Sequence, residues 1–196
     1  MTDLSKTAPR PRLGGHVARW ALTLLLLTGA WFLVKVTLPE GSSLAPFPTV
    51  ATIGEQASAR NLVVTVTDVH AARRVTSSEG WSADGTWLVV DLEAASVQKP
   101  SLLDHANLFI GERTFAPTDR GTSFARHPLM TGVPQSGSLA FELPADALRG
   151  TATLRLGLLT ADDGTVPLDG AIELMIDLDA TPVEAEVPLQ ENGWAR

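Results

Sequence analysis

The chain contains no cysteine, no tyrosine and only three methionines. The missing thiols exclude disulfides, thiolate metal sites, a cysteine nucleophile and a lipid-modified cysteine together. Export without disulfides suits a bacterium better than a eukaryotic secretory route, and none of Asn61, Asn107 or Asn192 begins an Asn-x-Ser/Thr sequon. Aromatic residues are also scarce, at 6%, while hydrophobic residues reach 44%, so the apolar excess has to be concentrated somewhere. It is concentrated near the N-terminus.

A chain of 196 residues accommodates one well-buried domain and an anchor, but not two ordinary domains with linkers. The formal charge of −7 is divided unevenly. Residues 1–38 carry Lys6, Arg10, Arg12, Arg19 and Lys35 against Asp3 alone, a net +4, and the remainder holds ten Lys/Arg against 21 acidic residues, or −11. An acidic domain of this kind is repelled by phosphate backbones, which sets nucleic-acid binding aside.

From Trp20 to Val34 the chain reads WALTLLLLTGAWFLV without a charge, and Pro39 ends the run after Lys35, Val36, Thr37 and Leu38. Residues 20–38 are long enough to cross about 30 Å of hydrocarbon at about 1.5 Å per residue. Arg10, Arg12 and Arg19 precede the span, so the positive-inside rule predicts a cytoplasmic N-terminus (1–19) and a C-terminal part outside. The competing reading is a secretory signal cleaved at Thr28-Gly29-Ala30, which releases a secreted domain. Against it, the apolar run continues past Ala30 through WFLV. A later small-residue site, Ser43-Leu44-Ala45, is followed by Pro46.

Residues 39–49 form a proline- and serine-rich stalk. Short apolar runs then alternate with turns, without a sustained helical period. Asn61–Val69 is β-branched; in Trp87–Ala94 the sets Trp87/Val89/Asp91 and Leu88/Val90/Leu92 face opposite sides of a sheet. Leu108–Phe115 folds about Gly111-Glu112 as a hairpin, and Ser138–Leu143, Thr153–Leu159 and Ile172–Leu178 repeat the strand pattern. With Thr49–Ile53 added, the reading is an all-β, immunoglobulin-like antiparallel β-sandwich of about seven or eight strands over residues 50–179, preceded by one transmembrane helix. Pro144–Leu148 reads as a single helical turn. Residues 180–196, with Pro182, Pro188 and three glutamates, read as a disordered acidic tail.

The order V-T-V-T-D-V (Val64–Val69), W-L-V-V-D-L (Trp87–Leu92), L-F-I before T-F-A-P (Leu108–Pro117) and G-V-P-Q-S-G-S-L-A-F-E-L-P (Gly132–Pro144) resembles the domain-of-unknown-function family 4352. The resemblance covers roughly Val50 to Leu178. It departs at Ala94-Ala95-Ser96, where that family often places an asparagine. It implies an immunoglobulin-like, membrane- or lipid-anchored module outside the cytoplasm and carries no catalytic residues with it.

Candidate chemistry is sparse. His70, His105 and His127 with Asp68, Asp104 and many serines supply the parts of a hydrolase, but no G-x-S-x-G elbow is present. Asp68 and His70 share a strand face, and all three histidines also fit surface positions. Asp162, Asp163 and Asp169 gather near a glycine turn, in the manner of a weak extracellular calcium site, but lack the alternating ligand order of a dedicated loop. The separation of paired carboxylates for glycoside cleavage is a three-dimensional quantity, and few clustered aromatics make a poor sugar cleft.

The residue that stands out is Trp81, a large ring within the small and polar GWSADG loop. It is either a partner contact or a ring folded back near Trp87. No catalytic, cofactor or metal residue is assigned. The expected function is a tethered binding or accessory module meeting a membrane-protein partner or an envelope polymer; the alternative is a small envelope hydrolase acting on cell-wall glycan or lipid-linked sugar.

Overall fold

The computed structural model describes residues 14–36, 48–158 and 170–195, with side chains of the N-terminal helix described from Arg19 to Trp31. It separates into two units, Met1–Ser43 and Leu44–Arg196. In the first, helix α1 spans Gly14–Val36 without an acidic residue in its first turn. Trp20, Leu22, Leu24–Leu27 and Trp31 on it are exposed. Among the described residues no helix is long and apolar enough to cross a membrane. The span expected at 20–38 is therefore not found there; its last residues, Thr37 and Leu38, and most of the 39–49 stalk lie outside the described residues.

The second unit is all β. In chain order its strands are β1 (Pro48–Ala51), β2 (Gln56–Ser58), β3 (Leu62–Thr76), β4 (Ser82–Ser96), β5 (Ser101–Leu102), β6 (His105–Ile110) and β7 (Arg113–Phe115). They continue with β8 (Pro128–Leu129), β9 (Gln135–Leu143), β10 (Thr151–Gly157), β11 (Ala171–Asp177), β12 (Val183–Glu184), β13 (Val187–Pro188) and β14 (Gly193–Trp194). One sheet has the order β1-β11-β10-β6-β7; the other runs β12-β3-β4-β9-β14, with β2 and β13 also on β3. β5 and β8 form a separate two-stranded ribbon.

Alternation dictates how the sheets stack. Val64 and Val66 of β3, Leu88, Val90 and Leu92 of β4, and Leu139 and Phe141 of β9 join one buried cluster with Leu108, Leu154, Leu156, Ile172, Leu174 and Ile176 of the other sheet. Successive strand residues point to opposite faces, so these sets fill the space between two sheets. Gly137 sits where a Cβ would collide with Phe124 and Asn192, which lets those side chains close over β9.

Several boundaries differ from those read in the sequence. The domain begins two residues early, because Pro48 opens β1 and pairs parallel with Ala171; proline is tolerated at the first position of an edge strand. The strand expected to stop at Val69 continues to Thr76, and β4 starts at Ser82, so the two pair as one long hairpin. Register shifts between Val66 and Asp68 and between Ala72 and Arg74 break the alternation, which hid this extension. The helical turn expected at Pro144–Leu148 is a turn closed by Ala147 N–H donating to Pro144 O at 2.9 Å.

The largest difference is the C-terminal segment, which is ordered rather than a disordered tail. β12 and β13 add parallel to the edge of β3, at Ala71 and Val75, and β14 adds antiparallel to β9 at Ser136 and Gln135. Between them the chain crosses the outer face of the sheet. Val187 and Leu189 pack there on Ala72, Val75, Trp87, Val89 and Ala140, a second buried cluster. Backbone ladders satisfy the strap's polar groups whatever its side chains, so the acidic composition concealed two buried apolar anchors.

Candidate functional site

Trp81 closes the β3–β4 hairpin. Ser77 N–H donates to Trp81 O at 2.8 Å and Gly80 N–H to Ser77 O at 3.0 Å, and Gly80 adopts φ 85°, the left-handed conformation that such a tight loop demands. The ring neither projects freely nor enters the core. It is half-buried, edge-on to Trp87 with centroids 6.0 Å apart and planes at 88°. On another side it meets Gly121 (φ 66°), where a Cβ would come within 2.8 Å of Trp81 Cε3. Trp81 thus folds back on Trp87, the second of its two readings, while keeping an accessible face.

That face lines an open pocket of about 450 Å³, with Trp87, Asp84, Thr118, Arg120 and Glu142 around it. Trp87 and Glu142 are cross-strand partners of β4 and β9, while Arg120 and Thr118 come from the loop after β7. Asp84 is held by Arg74 at 3.1 Å. The exposed side chains of Arg120 and Glu142 have no ion-pair or hydrogen-bond partner among the described residues. The pocket therefore offers a donor fork, a free carboxylate and an aromatic wall together.

Buried polar atoms without partners are rare, because each forfeits about 1–3 kcal/mol of hydration. Among the described residues they are Ser77 Oγ, Trp87 Nε1, Thr122 Oγ1 and Asn192 Oδ1. Two of these belong to residues that touch Trp81, Ser77 through a backbone hydrogen bond and Trp87 through the edge contact, and a third, Thr122, follows Gly121 in the chain.

The histidines stand apart from one another. His70, on the outer face of β3, places Nδ1 2.8 Å from Glu184 Oε1 and Nε2 3.5 Å from both Asp68 and Asp91. Asp91 Oδ1 accepts from Ser138 Oγ at 2.5 Å, and Ser138 Oγ accepts from Gln190 N–H at 2.8 Å. A carboxylate thus separates histidine from serine, and Ser138 is fully buried, so the imidazole is not positioned to take the hydroxyl proton. Burial raises the Asp91 carboxyl above the usual carboxylate range, against the lowering effects of Ser138 and His70. His127 stacks on Phe124 at 4.9 Å, and desolvation lowers its pKa. His105 opens β6, and Asp104 lies 3.5 Å from Arg126. Asp162, Asp163 and Asp169 lie outside the described residues. Among the described residues no group of three or more His, Asp or Glu side chains could hold a metal ion.

Trp81 and its neighbour Trp87 were legible in the sequence, but Arg120, Glu142 and Thr118 were not. Their convergence depends on the register Trp87↔Glu142 and on the loop after β7, and neither leaves a local signal.

The fold defines an all-β sandwich. No family model matches the chain, and no curated protein matches it either. Solved structures similar to it include the ycdA protein of Bacillus subtilis, provisionally described as a lipoprotein (16% identity, TM-score 0.47, 63% of this chain). This chain spans only 38% of that protein's length. Two others are the yjhA protein of Bacillus subtilis (15% identity, TM-score 0.44, 63% of this chain and 98% of that one) and an uncharacterised β-sandwich protein of Clostridium difficile 630 (11%, 0.41, 71% and 100%).

Proposed function

We propose that the chain is an extracytoplasmic binding module of a bacterial cell envelope, held at the membrane through the apolar segment 20–38, with an immunoglobulin-like domain that engages its partner at the Trp81 pocket. The observation that carries the reading is the pocket itself: a half-buried tryptophan beside an unpaired guanidinium and an unpaired carboxylate. Aromatic and arginine side chains in partly desolvated pockets are where binding energy concentrates. Loops at the end of a sheet scaffold present such groups without disturbing the core. The exposed leucines and tryptophans of α1, without an intervening polar stripe, support a lipid-facing role for that segment. Membership of the domain-of-unknown-function family 4352 belongs to the same proposal and rests on motif order alone.

The hydrolase alternative has no support from Ser138 and His70, which do not meet. Two measurements test the module. Protease added to intact spheroplasts should digest the domain and leave a protected N-terminal fragment, whereas a soluble form starting at Trp31 would overturn the anchor. Capture of envelope components by the full chain should weaken about 30-fold in Trp81→Ala, the scale of an interface hot spot. Unchanged capture removes the pocket from the proposal.

A further inference from the structure

Resting on the binding-module reading, we infer that the Trp81 pocket takes a saccharide ring of an envelope glycan. The chemistry is set by the mixture of groups. A membrane protein's apolar segment would call for an apolar groove, and an anionic ligand for a surplus of cations. Here Arg120 can only donate, Glu142 can only accept when ionised, and Thr118 can do both, all beside one aromatic ring. A sugar ring matches that set: every hydroxyl both donates and accepts, and the C–H faces suit an aromatic platform such as Trp81.

The unpartnered atoms are an independent observation. Trp87 is almost wholly buried, and its indole N–H has no acceptor although the residue lines the pocket. Gly85 is what allows this, since a Cβ at that position would lie 2.9 Å from Trp87 Nε1. Glycine inside a strand forfeits packing and chain entropy, and that cost is unexplained by any turn here. Ser77 Oγ, beside Gly121, and Thr122 Oγ1, on the next residue along the chain, are likewise buried and unpaired. In this structure the Trp81 ring stands edge-on to Trp87 and shares the space above Gly121 with Ser77. Rotation of that one side chain away from Trp87 opens the Trp87 and Ser77 donors to a ligand oxygen and lays the indole face along the ring it recognises. A polar shell left unsatisfied in the free protein and satisfied in the complex is how a site trades stability for affinity.

The test uses the full chain in detergent micelles, with chitotetraose and purified cell-wall sacculi as probes and tryptophan fluorescence and co-sedimentation as readouts. Saturable binding to both is expected, weakened about 30-fold by Trp81→Ala and at least about 5-fold by Arg120→Ala or Glu142→Gln. The last two residues are exposed, so their loss leaves folding intact. Ser77→Ala should raise the unfolding midpoint while weakening the sugar, a pairing that a purely structural hydroxyl does not produce. Gly85→Ala should weaken binding by crowding the indole N–H, and Arg113→Ala, away from the pocket, should change nothing. Absence of saturable binding by the unaltered chain overturns the inference, as does binding indifferent to Arg120 and Glu142. If Trp81-dependent capture of a membrane protein persists while both glycans fail, the saccharide falls and the binding module stands. If nothing depends on Trp81, both fall.

Discussion

The two faces of the sheet built on β3, β4 and β9 are buried by different means. Leu88, Val90 and Leu92 look inward and are covered by an entire second sheet. Trp87 and Val89, one residue out of phase, look outward, and the apolar residues that pack over them are Val187, Leu189 and the half-buried Trp81 and Ala83. Trp87 and Val89 are nearly as inaccessible to water as the inward leucines, yet one cover is a packed layer and the other a strap held by two-residue ladders. Equal burial therefore does not mean equal robustness. The inward face sets whether the domain folds; the outward face carries the polar and aromatic groups with functional potential.

The sharpest way to break this comparison is to truncate one residue on each side of it. Leu88→Ala leaves a cavity between two rigid sheets and should destabilise the unit Leu44–Arg196 by about 3–5 kcal/mol in urea unfolding. Leu189→Ala removes the same atoms from a strap that can settle inward, so a loss of about 1.5–3 kcal/mol is expected. Amide exchange should add a second contrast, with β12 to β14 opening at much lower free energy than β4. Equal losses in the two mutants, together with equal protection, would show that the strap is as integral as the second sheet.

How much of this was written in the sequence depends on the face. The division between Trp87/Val89/Asp91 and Leu88/Val90/Leu92 is visible from period two alone, as is the Gly111-Glu112 hairpin, because local alternation and turn chemistry are near-neighbour properties. What covers the outer face was invisible. Val187 and Leu189 stand among glutamates and prolines, and β-pairing of so few residues has no period to detect. The candidate site was half visible for the same reason. Trp81 is conspicuous in its loop, but its contact with Trp87 follows from the Ser77–Trp81 closure, and Arg120 and Glu142 arrive from distant segments.

Trp81 lies at the seam between the two regimes, so its removal is the next test. Only part of the ring is sequestered, and its edge contact with Trp87 contributes about 0.5–1.5 kcal/mol beyond area. Trp81→Ala should thus lower stability by about 1–2 kcal/mol, between a free loop residue and a core aromatic. A loss of about 3–5 kcal/mol, the usual cost of a core aromatic, would make Trp81 part of the outer-face core and end its case as a contact residue.

The smallest effect expected is also the most specific to the outer face, and it concerns Asp91. Its carboxylate occupies the position in the β4 alternation that follows Trp87 and Val89, buried where those residues are apolar. Burial there raises its pKa in spite of the Ser138 hydrogen bond and the His70 ring, with Asp68 adding to the rise. A carboxyl whose folded-state pKa exceeds its unfolded value holds its proton more tightly when folded. Its contribution is therefore most favourable below the unfolded pKa, is lost as pH rises through the raised folded pKa, and stays at its least favourable value above it. Asparagine keeps an oxygen to accept from Ser138 but carries no charge. Asp91→Asn should accordingly be more stable than the natural chain at pH 7, by up to about 1 kcal/mol, the scale of a single hydrogen-bonded group. The advantage should shrink steadily as pH is lowered through the carboxylate range. Urea midpoints of both proteins from neutral to acid pH isolate Asp91 and its coupling to His70 and Asp68, because titrating groups that do not interact with it appear in both and cancel in the difference. A difference independent of pH would mean that Asp91 titrates as it does in the unfolded chain. A natural chain that is the more stable at neutral pH would mean that the charge, through His70 and Ser138, holds the outer face together rather than straining it.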